Sequence, residues 1–291
     1  MNTWLLRIVW VVLPVTAGDE IAAALRTWST GPRLTAAVLL WVLWALVLGA
    51  LLVPRPVAMT IVRIGAPLAL IVTAIAAGST APSALSRAAA VLGPLLACVL
   101  GLRGEYPRIC AQGAAYGDEE RFPLKVPPGI AFAMLPLAIV VIGGGIAIGP
   151  LLLADRQWVA GAVAIALGWP AAFFATRLVH QLARRWIVLV PAGVVVADPL
   201  TLTDPVLFVR DRIQGLGPAD PTQRPPDGAL DLRLGAAFGS CVLLLHEETD
   251  VMRRVRGQGV GTRAGLVFVT PIALGRLIES AGARRIPVHH T

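Results

Sequence analysis

Residues 184–198 read RRWIVLVPAGVVVAD. Trp186 to Val190 and Gly193 to Ala197 are β-branched runs separated by Pro191-Ala192, the pattern of two strands with turn punctuation between them. Immediately upstream, Trp158 to Thr176 carries no charge and is long enough to cross a bilayer. A strand pair directly after such a run divides the chain into an apolar helical domain, residues 1–178, and a β-domain, residues 179–291.

The composition fits that division. The 291 residues are 56% hydrophobic and 14% charged, against about 45–50% and about 25% in an average soluble domain. The formal charge of +8 is not gathered into a basic stripe and no reader motif accompanies it, so nucleic acid is not an expected partner. Of 25 basic residues only Lys125 is lysine, the bias of a GC-rich bacterial genome. Cys98, Cys110 and Cys241 are odd in number and widely spaced, which points to reduced thiols and to neither metal nor disulfide.

Six spans are expected, near residues 4–17, 34–53, 57–77, 84–102, 130–153 and 158–176. The first is short and contains Arg7; a signal peptide carries its charge ahead of the apolar run, so a retained helix broken at Pro14 is preferred over a cleaved leader. Lys and Arg accumulate in cytoplasmic loops. One side of the bilayer collects Arg55, Arg103, Arg108, Arg121, Lys125, Arg177, Arg184 and Arg185, which makes both termini cytoplasmic in a bacterial inner membrane. Prolines 67, 94, 136, 150 and 170 read as kinks, and Gly143 to Gly149 offers small residues four apart for close helix contact. The five longer spans hold no Asp, Glu or His away from their ends, which disfavours an ion-coupled transporter.

The segment from Arg103 to Gly129 reads as a solvated loop or a docking segment. Beyond residue 179, strands are expected at 186–190, 193–197, 205–209, 230–234, 240–246, 251–255 and 266–270, with Gly215 to Gly228 as loop. Thr270 and Pro271 mark a helix start, and Leu274, Leu277, Ile278 and Ala281 form one apolar stripe. Seven strands and a C-terminal helix, opening on the quoted stretch just after a membrane span, resemble the bacterial pleckstrin-homology-like domains found on multi-pass membrane proteins of high-GC bacteria. The resemblance covers residues 184–288 and implies a binding or assembly module rather than an enzyme.

No residue pattern points to catalysis or to a cofactor. His246-Glu247-Glu248 lacks the second histidine of a zinc motif and reads as a polar turn. Gly257-Gln-Gly259-Val-Gly261 lacks the helix and lysine of a phosphate loop and reads as a β-turn. Asp118 and Glu119 would matter only to a lipid-modifying enzyme, the least favoured reading. Arg177, Arg184, Arg185, Arg210 and Arg212 are the candidate contacts for anionic lipid or for a partner in a membrane complex, set against the plainer reading that basic residues flanking a last span orient the chain. The expected role is therefore that of a scaffold or accessory subunit; the alternative is a small-molecule or lipid permease component whose β-domain regulates it.

Overall fold

The computed structural model describes residues 2–80, 83–102, 105–222 and 224–289; Arg103 and His290 lie outside the described residues. The chain forms two compact units, residues 1–110 with 134–180, and residues 111–133 with 181–291.

The first unit contains α1 (Asn2–Thr16), α2 (Gly18–Leu25), α3 (Thr30–Leu52), α4 (Pro56–Ser79), α5 (Ala84–Leu102), α6 (Glu105–Gln112), α7 (Leu135–Ala154) and α8 (Trp158–Leu182), the last residues of α6 and α8 passing into the second unit. Six segments are long and apolar enough to cross a membrane, and the first runs from Thr3 to Leu25 through α1 and α2. The chain is a multi-pass membrane protein.

The break in the first span falls at Ala17, three residues beyond Pro14. Proline has no N–H to give the carbonyl four residues back, here that of Trp10. That carbonyl instead accepts the indole N–H of Trp44 at 2.9 Å, and Trp10 returns its own indole N–H to the Trp44 carbonyl at 2.9 Å. The two tryptophans thus tie α1 to α3 through the gap that Pro14 leaves. Trp44→Phe is expected to lower stability in detergent by about 1 kcal/mol. In a Pro14→Ala background the cost should shrink, because the N–H of the introduced alanine then serves the Trp10 carbonyl; equal losses in both backgrounds would refute the coupling.

The carbonyls at the end of α3 have no partner within the helix. Arg7 Nε donates to the Leu51 carbonyl at 3.0 Å and the Tyr106 hydroxyl to the Ala50 carbonyl at 3.0 Å. A guanidinium there also sits favourably at the negative end of the helix dipole, which accounts for an arginine inside an apolar run.

Glycines hold α7 against α8. A Cβ on Gly145 would lie 2.5 Å from the Gly168 carbonyl oxygen, and one on Gly168 would lie 2.8 Å from that of Gly145. Gly143 faces Leu68 of α4 instead. The small-residue run therefore packs within this chain, with neighbouring glycines serving different helices.

The second unit has two four-stranded sheets. In the first the order is β1 (Glu120–Pro123), β2 (Trp186–Val190), β3 (Gly193–Ala197) and β4 (Val206–Val209), all antiparallel. In the second it is β5 (Ile213–Pro218), β7 (Cys241–Val255), β8 (Gln258–Val269) and β6 (Leu230–Asp231), with β6 parallel to β8. Phe122, Ile187, Leu189, Val194, Phe208, Leu216, Leu243 and Val267 share one core with Leu277 and Ala281 of α9 (Leu274–Ala283). Seven strands after residue 184 and one closing helix match the expected count.

Four local readings change. The segment between the fourth and fifth spans is not only loop: its Phe122 is buried and its β1 pairs with β2. Gly215 to Pro218, expected as loop, lies in β5. Residues 241–255 form one strand rather than two, with an irregularity in its pairing between Leu244 and Thr249 that leaves His246, Glu247 and Glu248 exposed within it rather than in a turn. The last helix begins at Leu274, because Thr270 donates its hydroxyl to the Ala236 carbonyl at 2.5 Å and Pro271 bridges to Leu124 instead of capping.

Candidate functional site

The five arginines expected to meet a ligand are placed in different environments. Arg184 and Arg212 are exposed. Arg177, on α8, is exposed with its guanidinium 5.9 Å from the centre of the Phe173 ring. Arg210 is half-buried and donates to the Pro191 carbonyl in the β2–β3 turn, which holds it within the unit.

Arg185 corrects the expectation. Its side chain is 2% exposed and forms a bidentate pair with fully buried Asp198, both bonds 2.8 Å, and it also donates to the carbonyls of Lys125 and Leu232 at 2.9 and 3.1 Å. Every one of those partners lies inside the β-rich unit, so no head group reaches this guanidinium. It joins the chain after β1, the start of β2, the end of β3 and the segment after β6.

A surface that the sequence left undefined lies at the end of the β7–β8 hairpin. Arg256 and Gly257 form its turn, both with positive φ (48° and 84°), and glycine is the residue that adopts this conformation most readily. Gly257 to Gly261 is thus a turn and a strand start, with no helix behind it. Arg253 pairs with Val260 and Val255 with Gln258 across the ladder, and Met252 lies over Gly259 and Gly261. Met252, Val255 and Val260 are each more than two-fifths exposed. Residues 251–262 contain Arg253, Arg254 and Arg256 and no acid, so the hairpin end is both apolar and cationic.

Of the acidic candidates, Asp118 is exposed and Glu119 serves local structure. Arg121 donates to the Glu119 carboxylate from Nε at 3.2 Å and from Nη2 at 2.9 Å, and holds that carboxyl below the usual range. Gln112 clasps the same segment, giving its amide N–H to the Glu119 carbonyl at 2.8 Å and accepting the Arg121 N–H at 3.0 Å. Asp231 is pushed up by burial, but its bonds from Arg233 outweigh that and its carboxyl is lowered. Among the described residues no three His, Cys, Asp or Glu side chains gather as a metal site.

All three cysteines are buried. Burial pushes the Cys110 thiol up to about 11 and Cys241 to about 12, against about 8.5 for an exposed thiol. The native protein is therefore expected to resist iodoacetamide at pH 8 and to react fully only when unfolded. Above about pH 8.5 the unfolded chain releases protons that the native thiols retain, so stability falls as pH rises toward 11 and 12. A native protein alkylated at Cys241 as fast as a free thiol would contradict this.

The membrane unit contains a cavity of about 340 Å³ lined by the broken first span and by α3, α4 and α5, with Trp10, Trp41 and Trp44 among its walls. Near the start of α4, Thr60 and His180 Nδ1 are hydrogen-bonded at 2.8 Å and Arg63 is 4% exposed. Neither the cavity nor this polar pair was visible in the spacing of the sequence, since each assembles residues from distant helices. Comparison with protein-family models, curated proteins and solved structures returns no match for the chain.

Proposed function

We propose that this chain is a non-enzymatic scaffold or accessory subunit of a bacterial inner membrane, with both termini cytoplasmic. Its β-rich unit, on this reading a pleckstrin-homology-like module, binds a protein partner or anionic lipid. One observation carries the proposal: the hairpin end exposes Met252, Val255 and Val260 beside Arg253, Arg254 and Arg256. Apolar and aromatic groups with arginine are what protein interfaces favour at their centres, and clustered arginine is what anionic head groups attract. Arg184 and Arg212 are the exposed members of the expected set within the β-rich unit.

A photo-crosslinking residue at Val260 in the full chain, in native membranes, tests it. The expected result is one discrete protein adduct, or a lipid adduct, that falls about tenfold when Arg253, Arg254 and Arg256 are all changed to Glu. Adducts no stronger than those at Arg224, in a loop far along the sequence, would refute it.

The cavity beside the broken first span favours a second reading, a permease component for a small molecule or lipid. Uptake by the reconstituted full chain that survives the hairpin charge reversal would move the weight there.

A further inference from the structure

The cavity in the membrane unit is built differently from a water-filled path. Trp10 and Trp44 both line it, and their indole N–H groups are committed to each other's backbone carbonyls. Among the described residues lining it, Thr73 carries the only hydroxyl. An ordered water needs two to four polar partners, and these walls do not supply them. An empty space of about 340 Å³ is no better, since unfilled apolar volume forfeits contacts in proportion to its size.

The position of the mouth selects the occupant. Trp41 lines the cavity, packs edge-on against Trp44 with ring centres 5.5 Å apart, and is itself 57% exposed, so the cavity reaches the outer surface of the helices beside it. Trp41 also stands at the centre of α3, a 23-residue helix long enough to span the bilayer. At that depth the surrounding medium is hydrocarbon, not water. The break at Ala17 lies in the cavity wall, and the Trp10 carbonyl freed by Pro14 is bonded, so that group is not left unpaired toward lipid.

We propose that this cavity holds one acyl chain of a bilayer lipid, admitted sideways past Trp41 and lying against Trp10 and Trp44. The inference is independent of the role assigned to the hairpin.

The test uses the full-length protein in nanodiscs of phosphatidylcholine carrying a diazirine midway along one acyl chain. After illumination, adducts are mapped by mass spectrometry. Peptides covering residues 10–25 and 37–44 are expected to carry several-fold more label than the lipid-facing side of α8, where Leu167 and Phe174 are exposed. Ala37→Phe and Ala69→Leu, which place side-chain volume in the cavity, should each lower the first signal at least fivefold and leave the α8 signal unchanged. Equal labelling of both regions in the unmodified protein would overturn the proposal, and so would an excess over α8 that persists undiminished in a folded filling variant. The first comparison needs no substitution, so it decides the matter even where a variant fails to fold.

Discussion

Changing Asp198 to alanine is expected to cost the β-rich unit roughly 3–5 kcal/mol, the range for removing one member of a buried ion pair. The Arg185 side chain is 2% exposed and that of Asp198 is fully buried. Alanine at 198 removes both carboxylate oxygens and leaves a guanidinium with only the Lys125 and Leu232 carbonyls, inside a core where water does not reach it. It also removes the acceptor for the Leu200 N–H at 3.1 Å, which shapes the turn after β3. At about tenfold per 1.4 kcal/mol, amide exchange that proceeds by global opening in β2 and β3 should quicken by two to three orders of magnitude or more. Exchange by mass spectrometry on the full chain reads this directly. The compensating test is Arg185→Met with Asp198→Leu: removing both charges together should cost less than Asp198→Ala alone, because no uncompensated charge remains. Asp198→Ala exchanging at the wild-type rate would show that the pair contributes nothing to the unit.

The same pair shows how far the sequence could be read. Arg185 sits next to Arg184 just after a span, where orientation of the chain in the membrane already demands basic residues, so nothing local distinguishes the exposed arginine from the buried one. What distinguishes them is Asp198, thirteen residues on, together with the carbonyls of Lys125 and Leu232. The strand pair at 186–197 was legible because its partners are adjacent in sequence and its β-branched runs are uninterrupted. β1 was not: four residues ending in proline give too short an alternation, and its partner lies more than sixty residues downstream. The six spans follow from apolar length alone. Their assembly does not, since the Trp10–Trp44 exchange and the cavity beside it join helices by three-dimensional fit rather than by periodicity. The hairpin end was visible only as an arginine run; the continuity of β7 past its irregular pairing sets Arg253 and Arg254 on opposite faces of a ladder, with Arg256 in the turn beyond it.

Gly168→Leu is expected to cost the membrane unit about 3 kcal/mol or more, the upper end of the overpacking range. The reason is the identity of the obstacle. A Cβ there meets the Gly145 carbonyl oxygen at 2.8 Å and its Cα at 3.0 Å, and the reciprocal Cβ on Gly145 meets the Gly168 oxygen at 2.5 Å. Backbone atoms cannot rotate aside as a side chain does, so α7 and α8 must separate to admit even a methyl group. Separation also forfeits the contacts of Gly149 with Ile165 and of Gly161 with Leu153, and close packing is what holds membrane helices together in the absence of a hydrophobic drive between them. Gly49 supplies the control, since a Cβ there has nothing within 4 Å. Alanine in place of a helical glycine ordinarily gains about 0.5–1 kcal/mol through backbone entropy. Gly49→Ala should therefore be neutral or stabilising, while Gly145→Ala and Gly168→Ala should destabilise, a reversal of sign that propensity alone does not produce. Thermal unfolding in a mild detergent, followed by helix signal, separates the two cases. If Gly168→Leu unfolds at the wild-type midpoint, the α7–α8 contact is not what stabilises this unit.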